Sequence, residues 1–438
     1  MNTTEQTRYD VIVIGAGSGG LTAAVGFVKI GKRVLLIERE HLGGECTNSG
    51  CIPSKALLHH AKEYYQAKNI AGDSKAVGLY RQQAFAYVRG KISEVLEEET
   101  VEFFTQLGID VVMGEAEFTA PCHLKINDTD YQFKTAIIAT GSSPRRIDIP
   151  GLQTEDVLTN QNLFKLDNIP KRTLIIGAGP IGLEMGQALA MLGSQVTIAT
   201  IDNEFAQLED HAIRPILQQK FVELGIKIEL KAHIQKAENK VAFFDRKEDG
   251  ETTDSFSIPF DKVLIAIGRI PNLPAGLDVA KIEADERCIM VDSQHRTSNK
   301  YVYALGDVAQ KLKFTHTADD TARQVVTRIA SRGWLRVNKK KSVPKVTYTL
   351  PEVAQVGLSW EGAVEKFGED RLMRIEVPLS QNDRAKTDNK TDGVLIVIAR
   401  RLNGIVLGAN FIGPSAGEII SIFTLAIDQR ISLWKLRS

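Results

Sequence analysis

The sequence holds little cysteine, 4 residues in 438. That is too few for a structural disulfide framework in a chain this long. It lacks net charge, because 54 Lys and Arg balance 54 Asp and Glu, so no global field favours nucleic acid or an anionic membrane. Long hydrophobic runs are missing as well. The apolar stretch Val11 to Ile14 meets glycine at Gly15, far short of the ~20 residues of a membrane span. Met1 to Tyr9 is polar and carries no basic-then-apolar leader pattern. No CxxC and no spaced His pair offers a zinc ligand set. These absences predict a cytoplasmic protein with no metal and no nucleic-acid or membrane partner. What is present, 43% hydrophobic and 25% charged residues, is the composition of an ordinary globular chain. Its length predicts two or three domains.

A strand–glycine–helix unit occurs twice. Tyr9 to Ile14 reads as a buried strand that runs into Gly15-x-Gly17-x-x-Gly20, an alanine-rich helix over Leu21 to Ile30 and a second strand from Arg33 to Ile37, ending at Glu38. Gly15 permits a tight turn, Gly17 lets the backbone approach a pyrophosphate, and Gly20 allows close helix–strand packing. The helix N-terminus offers N–H groups to phosphate. Glu38 is placed to accept bonds from a ribose. Thr173 to Ile176 leads in the same way into Gly177-x-Gly179-x-x-Gly182, a helix and the strand Val196 to Thr200. Gly15 to Val34 spans 19 residues, as does Gly177 to Val196. Two matched frames predict two adenine dinucleotides, most economically FAD and a nicotinamide coenzyme. Thr200 occupies the position of Glu38, each 23 residues after its first glycine. Thr200 can bond a ribose hydroxyl, Asp202 can stand in for the acid, and no Arg or Lys lies between Thr200 and Asp210. This tilts the second site toward NADH.

Two cysteines stand close together, in Cys46-Thr47-Asn48-Ser49-Gly50-Cys51-Ile52-Pro53-Ser54-Lys55. Positions five apart on an ideal helix lie about 8–9 Å apart, too far for a disulfide. The segment must therefore depart from helix if the two bridge, and Asn48 and Gly50 tolerate that. A helix starting near Pro53, with Lys55 close by, is expected to lower a thiol pKa. A zinc site, a structural disulfide and a redox-cycling dithiol beside a flavin are the three readings, and the last fits best. Cys122 and Cys288 read as inert thiols. His59 and His60 read as a partly exposed helix face.

The segment Gly43-Gly44-Glu45-Cys46 through Lys55 resembles the redox signature of the class I pyridine nucleotide–disulfide oxidoreductases, with Glu45 in place of the usual threonine. Further segments match in family order: Ile137 to Gly141, Ile181 to Glu184, Ala266 to Asn272, Ala304 to Asp307, Pro351 to Gly357 and Gly408 to Pro414. The resemblance implies an α/β fold with two Rossmann-like dinucleotide-binding domains, glutathione reductase-like, and an α+β C-terminal dimerisation domain. It implies an FAD-binding domain at 1–148 and 271–340, an NAD(P)H-binding domain at 149–270 and a dimerisation domain at 341–438. It also implies that Cys46 is the interchange thiol, that Cys51 contacts the flavin, and that Lys55 and Glu184 pair beside flavin N5. FAD would be held by Gly15, Gly17, Gly20, Glu38, Gly44, Thr47, Lys55, Gly141 and Asp307. NAD(P)H would be held by Gly177, Gly179, Gly182, Thr200 and Gly268. His316 falls in a segment that lines the flavin in the family and reads as structural.

The resemblance predicts a homodimer acting on a small dithiol, disulfide or oxidant. A dihydrolipoyl dehydrogenase-like activity is the first expectation, and an NAD(P)H-dependent reductase of metal ions, quinones or oxidants the second. A non-catalytic FAD-binding scaffold is the third. The family's closing His-Pro-Thr-x-x-Glu segment does not appear before Ser438, which reads as an interrupted ending. Neither an N-terminal metal-binding domain nor a C-terminal cysteine pair is present, which argues against mercuric ion as substrate.

Overall fold

The computed structural model describes residues 7–248, 250–310, 315–332, 334 and 342–437. Phe314, Ser438 and the outer ends of the segments 1–148, 271–340 and 341–438 lie outside the described residues. The fold is α/β, and the chain divides into two compact units.

The first unit comprises Met1–Pro53, Val88–Arg145 and Gly268–Lys339. Its sheet runs in the order Ile109–Met113, Val34–Glu38, Arg8–Ile14, Thr129–Ile138, with Val302–Ala304 also beside Thr129–Ile138; all these pairings are parallel. Strands buried on both faces read as unbroken apolar runs, which is why Val11 to Ile14 shows no polar alternation. The pleat still divides them. Val11, Val13 and Leu36 pack with Ala23, Ala24 and Phe27 of the helix Ser18–Lys29 and with Ala322 and Val325 of the helix Thr315–Ala330. Ile12, Ile14, Leu35 and Ile37 pack on the other face with Phe118, Leu124 and Phe133. The antiparallel strands Ala116–Ala120 and His123–Ile126 extend the sheet. Cys122 packs half-buried against this second cluster, and Cys288 is also half-buried.

The second unit comprises Ser54–Tyr87, Arg146–Ile267 and Lys340–Ser438. It repeats the design in a parallel sheet ordered Lys227–Glu229, Gln195–Ala199, Arg172–Ile176, Lys262–Ile265, Val157–Leu158. An antiparallel sheet runs Lys345–Thr347, Glu352–Gly357, Val406–Gly413, Val394–Arg400, Leu372–Pro378. The helix Ala416–Asp428 covers one of its faces through Ile420, Phe423 and Ala426. Ala363, from the helix Trp360–Phe367, packs with Leu372 and Ile398. Among the described residues no helix is long and apolar enough to cross a membrane.

The first dinucleotide helix begins at Ser18, three residues before the expected Leu21, because the turn needs no further length after Gly17. Thr200 falls one residue beyond its strand, which closes at Ala199.

Candidate functional site

The two glycine turns have the same geometry. Gly15 and Gly177 have φ of +100° and +108°, and each N–H donates at 2.8 Å across the turn, to Ile37 O and Ala199 O respectively. A Cβ at Gly15 would lie 2.5 Å from the Ala139 carbonyl oxygen, and one at Gly177 2.5 Å from that of Ala266. At Gly20 and Gly182 it would lie 1.9 and 2.2 Å from the oxygens of Gly15 and Gly177. The second glycines differ. Gly17 and Gly179 have ordinary φ of −78° and −77°, and a Cβ there would meet nothing nearer than 4.0 Å. Neither backbone conformation nor protein packing demands glycine at these two positions. Both are N-caps without a side-chain cap, so no capping side chain takes the N–H groups that follow, those of Ser18 to Gly20 and, after Pro180, which has none, those of Ile181 and Gly182. A pyrophosphate resting on the turn accounts for both features.

The surroundings of the first turn also fit FAD. Glu38 accepts from Ala16 N at 2.7 Å through Oε2 and from Glu40 N at 2.8 Å through Oε1, which leaves lone pairs for ribose hydroxyls. Asp307 Oδ2 accepts from Ser142 Oγ at 2.6 Å, and three residues on, the buried Gln310 Oε1 has no partner among the described residues. Gly141 has φ of +69° with open space before it. Gly44 shows a second reason for being glycine, since a Cβ there would lie 2.6 Å from Gly17 Cα. The segments Ala139 to Gly141 and Gly268 to Asn272 are tied together. Asn272 Nδ2 donates to Thr140 O at 3.0 Å, Asn272 N to Gly141 O at 3.0 Å, and Ser143 Oγ to Asn272 Oδ1 at 2.7 Å.

At the second turn, Thr200 is buried and its hydroxyl donates to Asp202 Oδ2 at 2.7 Å. The threonine thus positions the acid beyond the strand end. Gly268 belongs to the first unit, at the foot of the strand Arg269–Pro271, with φ of +102°.

The cysteines occupy the joint between two helices, Gly44–Asn48 and Cys51–Ala71. The long helix therefore begins at Cys51, two residues before Pro53. Ser49, at φ −149°, breaks the run. Asn48 closes it by donating from Nδ2 to Leu42 O at 2.9 Å and Gly44 O at 2.8 Å. Gly50 contributes close approach instead of left-handed backbone, since its Cβ would stand 2.8 Å from Glu45 O. Cys46 and Cys51 are unbridged and half-buried. Thr315 Oγ1 lies 3.2 Å from Cys51 Sγ and donates to Cys46 Sγ at 3.6 Å, so one hydroxyl reaches both sulfurs. The hydrogen bond with Cys51, together with burial, holds the Cys46 thiol well above the ordinary thiol range. The expected lowering of a thiol pKa is not found at Cys46, where the adjacent sulfur and the loss of water act against it.

Thr47 is buried, and its hydroxyl reaches Glu99. Burial holds the Glu99 carboxyl above the usual range, and its Oε2 has no partner among the described residues.

In the second unit Lys55 Nζ donates to Glu184 Oε2 at 2.8 Å, and Tyr348 N donates to Glu184 Oε1 at 2.9 Å. The Lys55 ammonium stands 4.6 Å from the Tyr348 ring centroid. One turn along the helix from Glu184, Gln187 donates from Nε2 to Leu350 O at 2.8 Å and accepts from Leu350 N at 2.5 Å. Glu184 and Gln187 thereby hold the 348–350 backbone from one helix face. Glu184→Leu is expected to destabilise by about 2–3 kcal/mol, because Tyr348 N–H loses its acceptor and Lys55 its counter-charge. Glu184→Gln, which keeps the acceptor, costs about 1 kcal/mol, since Lys55 is 39% exposed and partly screened. Urea unfolding of both variants tests the order, and equal losses would refute it.

The histidines do not gather here. His59 is exposed, whereas His60, expected on a partly exposed face, is buried and stacks on Tyr80 with centroids 4.1 Å apart. His316 is exposed in the first turn of the Thr315–Ala330 helix. Sequence reading gave no role to Thr315, Ser142, Arg269 or Glu99. Thr315 and Arg269 stand inside segments that match the family, Ser142 and Glu99 in none, and only the fold brings the four to the redox segment or the Asp307 turn.

Two like-built glycine turns and a pair of cysteines at a helix joint define a nucleotide-dependent redox protein. The model of the pyridine nucleotide-disulphide oxidoreductases matches residues 9–322, and that of their dimerisation domain matches 343–438. The chain belongs to this family. It is 33% identical to the dihydrolipoyl dehydrogenase of Thermus scotoductus over 96% of this chain and 91% of that one. It is 31% identical to the mercuric reductase of Lysinibacillus sphaericus, over 96% and 78%. Among solved structures it resembles the HOCl-induced flavoprotein disulfide reductase RclA from Escherichia coli, with TM-score 0.86 and 27% identity over 98% of this chain and 95% of that one. The protein is a flavoprotein disulfide oxidoreductase, and its cofactors are FAD and NAD(P)H.

Proposed function

We propose that the chain is an NADH-dependent flavoenzyme that exchanges electrons with a small dithiol or disulfide through Cys46 and Cys51, in the manner of a dihydrolipoyl dehydrogenase. The observation that carries this is the shared Thr315 hydroxyl, which keeps two sulfurs side by side at a helix joint where they can cycle between dithiol and disulfide. Bound FAD supplies a two-electron relay between the nicotinamide and the disulfide. Reduction of the disulfide takes two electrons and two protons and yields two thiols. Cys46, as a thiolate, then attacks a substrate disulfide and releases one substrate thiol. Cys51 attacks the mixed disulfide, frees the second thiol and restores the intramolecular bridge. Lys55 and Glu184 keep the roles that the resemblance gives them, as do the FAD and NAD(P)H residues named above.

The same reading assigns 1–148 and 271–340 to FAD, 149–270 to the nicotinamide coenzyme and 341–438 to a homodimer interface, in a cytoplasmic enzyme. Asp202, set by Thr200, supports NADH over NADPH, because a carboxylate there repels a 2′-phosphate.

The test is NADH formation from NAD and dihydrolipoamide by the FAD-loaded protein. Turnover at least ten times higher than with NADP supports the reading, and none with either coenzyme sinks it. A second reading is reduction of a metal ion or oxidant. Two adjacent soft sulfurs favour it, as does the likeness to RclA, which has been solved as a Cu(II) complex. Consumption of NADH with Cu(II) or hypochlorite-derived oxidants, but not with lipoamide, would select it.

A further inference from the structure

The loop from Thr200 to Asp210 leaves the strand Gln195–Ala199 and carries Asp202, which the coenzyme reading sets against the adenosine ribose. It is built as one piece. The Arg214 side chain donates from Nε to Glu209 O at 2.8 Å and from Nη2 to Gln207 O at 2.9 Å, and it pairs with Glu204. Phe205 is buried and meets Phe221 edge-on, with ring centroids 5.1 Å apart. Glu209 N donates to Ala206 O at 2.8 Å. A displacement at residues 209 and 210 is therefore passed along the loop instead of being absorbed within it.

The end of this loop turns two carboxylates inward. The side chains of Glu209 and Asp210 are 3% and 7% exposed, so each needs a counter-charge. Both find one in the dimerisation segment of the same compact unit. Lys345 Nζ donates to Glu209 Oε1 at 2.7 Å. Arg374, on the strand Leu372–Pro378, donates from Nη1 to Asp210 Oδ2 at 3.0 Å and from Nη2 to Asp210 Oδ1 at 2.9 Å. Its Nε donates to Glu376 Oε1 at 2.7 Å, which orients the two-pronged pair. Burial works against the Asp210 charge, yet Arg374 and the Ala212 N–H hold its carboxyl below the usual range. The chain that begins at Lys345 continues to Tyr348 and Leu350, whose backbones are bonded to Glu184 and Gln187. Three extended residues reach about 10 Å. One stretch of chain is thus fastened at Lys345 to the Asp202 loop and at Tyr348 to the helix Pro180–Met191, which starts at the second glycine turn.

We propose that Lys345 and Arg374 are positioning residues for the nicotinamide coenzyme, holding the Thr200–Asp210 loop so that Asp202 keeps its place relative to the glycine turn and Glu184. The proposal rests on the reading of the second turn as the coenzyme site. Each cation acts through the carboxylate it holds. Freed of its cation, a buried carboxylate draws the loop end toward water, and the acid at the other end of the loop shifts with it. The expected signature is a loss of coenzyme affinity that leaves the reaction of bound coenzyme unchanged.

The experiment follows flavin reduction by NADH in the FAD-loaded protein by anaerobic stopped flow, where the dependence on NADH concentration separates Kd from the limiting rate. Lys345→Gln and Arg374→Lys each raise Kd about tenfold. The limiting rate stays within about twofold of the parent, and FAD content is unchanged. Asp202→Asn raises Kd as well. Adding Lys345→Gln to it raises Kd by less than about threefold further, because residues that act through one contact do not add. Should Lys345→Gln fail to fold, Glu209→Leu with Lys345→Met leaves no buried charge unpaired and is expected to show the same rise. A parental Kd in either cation variant overturns the proposal. So does a rise that multiplies in full with that of Asp202→Asn, or one that comes with lost FAD or a fallen limiting rate, the marks of general loosening. Gly179→Ala separates the two failures. If it raises Kd while the cation variants do not, the coenzyme reading stands and the proposal alone falls. If it too leaves Kd unchanged, the reading of the second turn falls, and the proposal with it.

Discussion

Cys51→Ser and Cys46→Ser each lower disulfide turnover at least a thousandfold, about 4 kcal/mol of lost catalysis, while the protein stays folded and retains FAD. The dithiol stores two electrons only as a pair of sulfurs, and serine oxygen cannot close a disulfide. The fold has little reason to suffer. Thr315 Oγ1, 3.2 Å from Cys51 Sγ, can bond a serine hydroxyl in its place, and both sites are half-buried. A stability change within about 1 kcal/mol is expected for such a swap. The two variants should still differ. With Cys51→Ser, Cys46 survives and takes up iodoacetamide. With Cys46→Ser, the sulfur that the family resemblance sets against the flavin survives as a free thiol, so a long-wavelength thiolate–flavin absorbance is expected while the flavin is still oxidised, and NADH under anaerobic conditions bleaches it because no disulfide remains to take the electrons. Turnover, FAD content per chain and that absorbance together check the expectation. A Cys51→Ser protein that retains parental turnover would end the dithiol reading.

The next largest effect separates glycines that the fold needs from glycines that a bound nucleotide needs. Gly20→Ala places a Cβ 1.9 Å from the Gly15 oxygen, backbone against side chain with no flexible end to yield. It should cost more than about 3 kcal/mol and leave the first unit unfolded or without FAD. Gly17→Ala places its Cβ at least 4.0 Å from protein, at φ −78°. Apoprotein stability should therefore stay within about 1 kcal/mol of the parent. FAD affinity should nevertheless fall at least a hundredfold, about 3 kcal/mol, because a methyl group now stands where the pyrophosphate must rest. The second turn repeats the contrast. Gly182→Ala disrupts the second unit, and Gly179→Ala raises the KM for NADH while FAD stays bound. Melting curves, flavin content and NADH kinetics of the four variants give a two-by-two pattern. Loss of FAD in Gly179→Ala, or its retention in Gly17→Ala, would invert the assignment of the two turns.

The glycine turns were legible because their requirements are local. A φ of +100° at Gly15 and a helix packed on its own entering strand are properties of a few consecutive residues, so a pattern at fixed spacing reports them. The same holds for the break between Cys46 and Cys51, where Asn48 and Gly50 mark a departure from helix. Their means of making it, a side-chain bond and a close approach, needed coordinates. Lys55 and Glu184, 129 positions apart, were paired by family resemblance alone, and the structure brings them to 2.8 Å. The partners of Thr315, at a separation of 264, and of Arg269, 224 from Glu45, were not legible even though both residues stand in segments that match the family, because a motif does not say which distant side chain a threonine or an arginine meets.

By itself the sequence determined the two glycine turns and the break between Cys46 and Cys51, which are written in short-range steric demands, while the resemblance of its motifs implied the family architecture and the dithiol. Only the tertiary structure decided that a threonine touches both sulfurs and that a buried arginine is shared by Glu45 and Asp307. It also decided that Cys46 is buried beside Cys51 and Thr315. Those outcomes depend on which distant segments exclude water from one another, and burial of that kind is a property of the packed chain, not of any one stretch of it.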